Sequence, residues 1–564
     1  MSRPSPETTV ADLVGEALGA RTDAEHAFGV LGSGNLVVTN ALCRSGLRFH
    51  HARHEGGAVA MADGYARTTG RTGICSVHQG PGLTNTLTGL AEAAKSRTPL
   101  LVLAGESPAA ALTSNFRIDQ HGLVESVGAA AERIHGPVTA AHDALRALHR
   151  AHTERRPVVL MLPIDIQAQP APTASGPRSP DHKAPLAPQP QPEAIAAAAD
   201  LITGCTRPVI IAGRGAVLAG AGAGAELEQL GEQIGALLAT SAPAHGLFAG
   251  LPYALGIAGG FASPLAIELL GQADLIISFG ASLNQWTTKH GALFAADAAL
   301  IQVDIEPTAI GRNRAADLAL LGDARATAQA LTDELRRRWN PANPRSRTPQ
   351  VQTEIGTRRW ADEPFEDAGT DRHIDPRALS IALNELLPAD RIVAVDSGHF
   401  TGYPSMYLDV PDARSWIFAN GFQAVGLGLG NAVGAAIAHP ARTTVAALGD
   451  GGAFMALAEL ETAARLGLGN LLVVIYDDSA YGAEVHHFAP MGHDVARVQF
   501  PDADLAALAT AAGCTGHTVR AVRDLEAIND WLQQDPRQKT PLVLDAKVNP
   551  DICAEWLEEA FRTG

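Results

Sequence analysis

Short apolar runs of strand length alternate along the chain with longer stretches rich in Ala and Leu. In the first part the runs are His26–Val30, Thr72–Val77, Pro99–Ala104 and Pro157–Leu162. Runs of this length with helical patterns between them predict βαβ units, a parallel sheet covered by helices. The alternation returns at Pro208–Ala212, Leu275–Phe279 and Leu300–Ile305, and again at Thr443–Leu448 and Leu471–Tyr476. Between the blocks lie two polar stretches. The first is crowded with A-P, G-P, S-P and Q-P dipeptides, and proline removes amide donors and favours extended chain. The expected organisation is an α/β protein of three doubly wound parallel-sheet domains, 1–166, 193–338 and 374–564, joined by linkers 167–192 and 339–373. No short-period repeat is visible, which excludes a solenoid.

Composition narrows the functional classes. A chain of 564 residues suits several cores rather than one, and 46% hydrophobic with 18% charged residues is a globular balance. A formal charge of −17 argues against a nucleic-acid partner and against docking on anionic membranes. The best apolar runs, such as Pro157–Ile164, fall short of the ~18–20 residues needed to cross a bilayer. Met1-Ser-Arg-Pro-Ser-Pro-Glu7 carries no apolar signal region. The five cysteines are scattered and form no C-x-x-C pair, so they read as reduced thiols rather than a disulfide frame or zinc site. A soluble cytoplasmic enzyme is expected.

The most informative chemistry lies in the third block. Gly449-Asp450-Gly451-Gly452 follows the strand-like Thr443–Leu448 directly, and Ala453–Leu466 has helical periodicity. The next strand ends in Asp477-Asp478-Ser479-Ala480-Tyr481-Gly482. In a parallel sheet both strand ends emerge at the same carboxyl edge, where such folds bind ligands. Asp450 and the Asp477/Asp478 pair are therefore expected to meet. Glycines flanking Asp450 let backbone amides approach a phosphate, and Mg²⁺ is typically held by one or two carboxylates plus phosphates. A tight turn with two helix-capping aspartates would use the same residues, but it leaves the acidic pair unexplained. His54-Glu55-Gly56-Gly57-Ala58 lacks the second histidine of a zinc-protease H-E-x-x-H.

Gly449–Gly452, the helical Glu459-Leu-Glu-Thr-Ala463 and the polar strand end together resemble the cofactor motif of thiamine-diphosphate enzymes, in the acetolactate synthase-like branch. The resemblance covers nearly the whole chain. Phe28-Gly29-Val30, Arg53–Arg67, Gly80–Asn85 and Pro157–Asp165 are similar to the pyrimidine-binding domain, and Leu300–Pro307 to the strand closing the central domain. It implies thiamine diphosphate held through Mg²⁺ by Asp450, Asp478 and the carbonyl of Ala480. Ser397, Gly398, His399, Gly449, Gly451, Gly452, Tyr481 and Gly482 would surround the diphosphate, and Pro81 and Asn85 the pyrimidine. Val425 would lie under the bend of the cofactor, where synthases commonly use Met. Glu55 would hydrogen-bond the pyrimidine nitrogen and so promote loss of the thiazolium proton. The family usually has Asn where this chain has Asp477, which leaves open which of Asp477 and Asp478 ligates.

The resemblance further implies decarboxylation of a small 2-oxo acid with carboligation to a second carbonyl. His78, Gln79, Glu484 and His487 are the residues expected to work on the substrate beside Glu55. Acetolactate-type synthases carry apolar residues and a Trp where this chain has Glu484, His486 and His487, which suggests acid–base work or a polar acceptor. Arg117 is a candidate carboxylate clamp. FAD, bound by many synthases of the branch, is not expected, because the flavin segment after Ser278-Phe279-Gly280 reads Ala281–Thr288 here. A homodimer or homotetramer is implied, with Glu55 and Asp450 of one site supplied by different chains. The alternatives are a non-decarboxylating C–C lyase or hydrolase, and a regulatory member of the family. A third is a nicotinamide oxidoreductase built on Gly426-x-Gly428-x-Gly430, glycines that do not spell G-x-G-x-x-G.

Overall fold

The computed structural model describes residues 8–172, 186–338 and 345–562. They form three six-stranded sheets, each flanked by helices. The first contains β1 (His26–Gly29), β2 (Arg48–His51), β3 (Gly73–Val77), β4 (Leu100–Glu106), β5 (Ala130–Arg133) and β6 (Pro157–Pro163), in the order β2-β1-β3-β4-β6-β5. The central sheet has β7 (Pro208–Ala212), β8 (Leu237–Thr240), β9 (Ala254–Ile257), β10 (Leu275–Phe279), β11 (Ala299–Asp304) and β12 (Leu318–Leu321), ordered β12-β11-β10-β7-β8-β9. The third has β13 (Arg391–Val395), β14 (Trp416–Phe418), β15 (Thr443–Gly449), β16 (Leu471–Asp477), β17 (Thr515–Val519) and β18 (Leu542–Lys547), ordered β14-β13-β15-β16-β18-β17. Neighbouring strands run parallel. The outer two sheets share one strand order, whereas the central one has the order of dinucleotide-binding folds.

Strands β6 and β16 are buried at every position, which is why they read as unbroken apolar runs. The first and third domains share one core, in which Phe28, Val59 and Met61 pack with Leu429, Val433 and Leu448. Its spine is a pair of helices, Glu55–Thr69 and Gly428–Ala438. Glycines set their separation: a Cβ on Gly64 would lie 2.0 Å from the Asn431 carbonyl oxygen, and one on Gly434 1.9 Å from that of Met61. The Asn431 amide then donates to the Ala60 carbonyl (2.9 Å) and to Asp63 (3.0 Å).

Two expectations need revision. The 339–373 stretch is more than a linker: it contains the helix Pro349–Thr357, whose Val351 and Ile355 pack on the central domain. Just before it, the buried Arg347 guanidinium grips Glu228 at 2.7 Å, and the polar composition hides both features. The pattern read as one helix over Ala453–Leu466 is two, Asp450–Met455 and Ala458–Arg465. Residues 173–185 of the first linker and 339–344 of the second lie outside the described residues. Among the described residues no helix is long and apolar enough to cross a membrane. All five cysteines are unpaired.

Candidate active site

A cavity of about 2210 Å³ opens at the carboxyl ends of β13, β15 and β16 and continues against the central domain. Its third-domain wall contains Ser397, Gly398, His399, Val425, Gly449, Asp450, Gly451, Gly452, Asp478, Ala480, Tyr481, Gly482 and Glu484. The adjacent ends of β15 and β16 thus bring together the residues expected around a metal and a diphosphate.

Asp450 is buried at the end of β15. Burial, then the charges of Asp478 and Asp477, push its carboxyl up to about 8. A carboxyl pushed up by neighbouring carboxylates is one that a divalent cation would neutralise, so the donor set fits a hard ion such as Mg²⁺. The two consecutive aspartates part company. Asp477 turns into the domain, where its Oδ2 lies 2.6 Å from Lys547 Nζ and its Oδ1 accepts the Ser479 amide at 2.9 Å. Asp478 faces the cavity, with its Oδ2 3.8 Å from His399 Nδ1. Lys547 also reaches Asp502 (2.7 Å) and Asp545 (3.0 Å). Burial alone would lower this ammonium; its hydrogen bonds to Asp477, Asp502 and Asp545 outweigh that and hold it above its usual value.

The glycines here are spatial necessities. A Cβ on Gly482 would lie 2.3 Å from Asp478 Oδ2, and one on Gly451 2.8 Å from the Tyr481 ring. His399 Nε2 accepts the Ala554 amide at 2.9 Å, so a neutral ring carries its proton on Nδ1, towards Asp478. Its other face meets His486 with ring centres 4.6 Å apart. Burial, then the nearby His399, lowers the His486 pKa. Asp396, fully buried beyond β13, accepts the amides of Gly426 (2.8 Å) and Leu427 (3.3 Å). Burial pushes its carboxyl up to about 6. These bonds fix the loop whose half-exposed Val425 looks into the cavity beside Gly452. The glycines after it serve packing: Gly428 abuts Asp396, and a Cβ on Gly430 would lie 2.6 Å from that of Ala60. That close helix contact removes the nicotinamide reading of Gly426–Gly430.

The remaining predicted residues form a separate group in the first domain. Glu55 opens the Glu55–Thr69 helix half-buried, and its Oε2 accepts the Asn85 amide at 2.9 Å. Pro81 begins the short helix Pro81–Thr84 beside it. The His78 ring lies against Phe116 at 5.1 Å, and its buried Nδ1 has no partner. Gln79 is buried beneath Gly34 and Gly105 with its Oε1 unpartnered. Arg117 points its guanidinium at the Pro108 and Ala109 carbonyls, at 3.5 and 3.4 Å. None of these lines the large cavity of their own chain. Nor does His487, which stacks on Phe561 with ring centres 3.8 Å apart and borders a smaller pocket.

Family models match in three consecutive pieces. Residues 8–131 match the N-terminal TPP-binding domain of thiamine pyrophosphate enzymes, 195–331 their central domain and 396–546 their C-terminal TPP-binding domain. The chain belongs to the thiamine pyrophosphate enzymes. Within this family it falls in the acetolactate synthase-like branch. It is 29% identical to an acetolactate synthase of Arthrospira platensis, over 94% of this chain and 93% of that protein. It is 30% identical to a probable 2-ketoarginine decarboxylase of Pseudomonas aeruginosa, over 92% and 89% respectively. A sulfoacetaldehyde acetyltransferase of Rhodobacter capsulatus is 28% identical, over 96% and 94%.

For this thiamine pyrophosphate enzyme, sequence reasoning passed over three residues that the site uses. Asp396 had a signal, an acid directly after the apolar strand Arg391–Val395. Lys547 had a weaker one, a lysine closing the buried strand Leu542–Lys547. Glu459 stood inside a quoted motif without a role; its carboxylate meets the backbone just before Glu55.

Proposed function

We propose that this enzyme decarboxylates a small 2-oxo acid on thiamine diphosphate and ligates the product to a second carbonyl compound. The observation that carries the reading is the convergence of Asp450 and Asp478 on one cavity while Lys547 draws Asp477 away. Asp450, Asp478 and the Ala480 carbonyl would hold Mg²⁺, and the amides of Gly449–Gly452 would meet the diphosphate. Val425 would support the bend between the rings. When bound, the cofactor supplies a thiazolium carbon that adds to the 2-oxo carbonyl and accepts the electron pair freed as CO₂ leaves. Glu55 would hydrogen-bond the pyrimidine nitrogen, with the Asn85 amide holding its carboxyl group in place. His78 and Gln79, whose buried Nδ1 and Oε1 have no partner, would orient the substrate. The reaction passes no electrons to an external acceptor, so no flavin is given a step.

Because Glu55 lies off its own chain's cavity, it would serve the cofactor of a second copy. Apolar side chains exposed in one chain near each half of the site support such an association. Phe116 (42%) and Ile118 (40%) lie near the first group, and Phe454 (44%) and Met455 (60%) near the second. The proposed assembly is a homodimer or a pair of dimers.

Glu484 on the cavity wall favours a second reading, a non-decarboxylating C–C lyase or hydrolase in which it handles protons with His486. Supplying pyruvate with candidate aldehyde and 2-oxo acid acceptors separates the two. CO₂ release coupled to a new C–C bond is the expected result. Cleavage of a C–C bond without CO₂ from any 2-oxo acid would overturn the first reading in favour of the second.

A further inference from the structure

The turn that presents Glu55 is clamped by a buried acid from the other end of the chain. Glu459 is 2% exposed. Its Oε1 accepts the His54 amide at 3.0 Å, and its Oε2 accepts the Arg53 amide at 3.3 Å and the Thr462 hydroxyl at 2.7 Å. The Arg53 guanidinium goes elsewhere, to Glu461, through bonds of 2.6 and 2.7 Å. Gly57 makes room for the clamp, since a Cβ there would lie 2.3 Å from Glu459 Oε1. On the far side of the turn, the His54 ring accepts the Gly56 amide at 3.0 Å.

Sealing a carboxylate inside a protein is costly unless its oxygens are hydrogen-bonded. Here they are committed to two consecutive backbone amides, those of the residues immediately before Glu55. Fixing those peptide planes fixes the direction in which the first side chain of the helix leaves the backbone. We infer that Glu459 is a positioning residue for Glu55, acting through the Arg53–His54 backbone rather than by touching substrate or cofactor. The inference rests on the role proposed above for Glu55. Glu459 also follows closely on the Asp450–Met455 helix, so the edge that carries Asp450 and the turn before Glu55 are joined by one short path.

The test compares Glu459→Gln, Glu461→Gln and Glu55→Gln. Three quantities are read: the C2–H/D exchange rate of bound thiamine diphosphate, cofactor affinity with thermal midpoint, and amide exchange of residues 53–55 in the cofactor-free protein. A glutamine side chain can accept one of the two amides but turns a donor towards the other. Glu459→Gln is therefore expected to speed exchange of the Arg53 and His54 amides and to slow C2 exchange about tenfold or more. Affinity should stay close to wild type, while the thermal midpoint falls because two donors then face each other in a buried site. Glu461→Gln, which weakens the Arg53 and Arg465 side-chain pairs and leaves the Glu459 bonds to the backbone in place, should leave C2 exchange unchanged. Wild-type C2 exchange in Glu459→Gln overturns the clamp, as does a loss matched in proportion by lost affinity. Wild-type exchange in Glu55→Gln would instead overturn the Glu55 assignment on which the clamp depends.

Discussion

Lys547 decides what two neighbouring aspartates can do. An acid before Asp478 adds charge where the family usually has Asn, and the buried ammonium absorbs it, leaving Asp478 to face the cavity. Removing one partner of a buried pair strands the other, so Lys547→Met should cost about 3–5 kcal/mol in urea unfolding. Adding Asp477→Asn should recover part of that loss; no recovery would mean that Asp477 is not the stranded group. Asp450→Ala should abolish Mg²⁺-dependent cofactor binding in calorimetric titration, whereas unchanged affinity would remove Asp450 from the ligand set. His50, on β2 with its Nε2 2.8 Å from His26 Nδ1, offers a pH test: burial, then the neighbouring His26, lowers its pKa to about 4. An unfolded histidine takes up its proton below about 6.5. Folding therefore loses stability as pH falls from about 6.5 towards 4, and His50→Gln should flatten that part of the curve. Asp450 and Asp478 were legible because each closes an apolar strand. Lys547 was not, because β18 inserts between β16 and β17, a pairing that no local pattern announces.

At the scale of elements, the helix pair Glu55–Thr69 and Gly428–Ala438 ties the first domain to the third. Gly434→Ala would push a methyl group onto the Met61 carbonyl, and we expect about 2–3 kcal/mol of destabilisation in chemical denaturation. Wild-type stability would show that the helices can separate without loss. The inner strands β3, β4, β6, β7, β10, β11, β15 and β16 were readable, since parallel strands buried on both faces are plain apolar runs, whereas the partly exposed edge strands β12 and β17 were not read. The glycines of Gly426–Gly430 were harder to interpret. Locally they resemble a phosphate loop, and only tertiary neighbours show that Gly428 packs on Asp396 and Gly430 on Ala60 of the helix hundreds of residues earlier. The helix Pro349–Thr357 escaped notice for a related reason: it has no buried residue of its own and reads as polar linker.

For the whole molecule, the sequence pointed to two groups, one near each end of the chain, that must act on a single cofactor. The structure places Asp450 and Asp478 in the large cavity and Glu55 outside it. Local motifs carry the chemistry of each group, whereas the path between them is not written in their spacing along one chain. The proposed site is therefore built by two chains. Co-expressing Glu55→Gln and Asp450→Ala chains, each inactive alone, tests it most directly. If the site spans two copies, each mixed dimer regains one intact site, and random pairing should restore about a quarter of wild-type C2–H/D exchange. If every mixed preparation stays as inactive as the separate variants while mixed dimers are demonstrably present, the shared-site account is wrong.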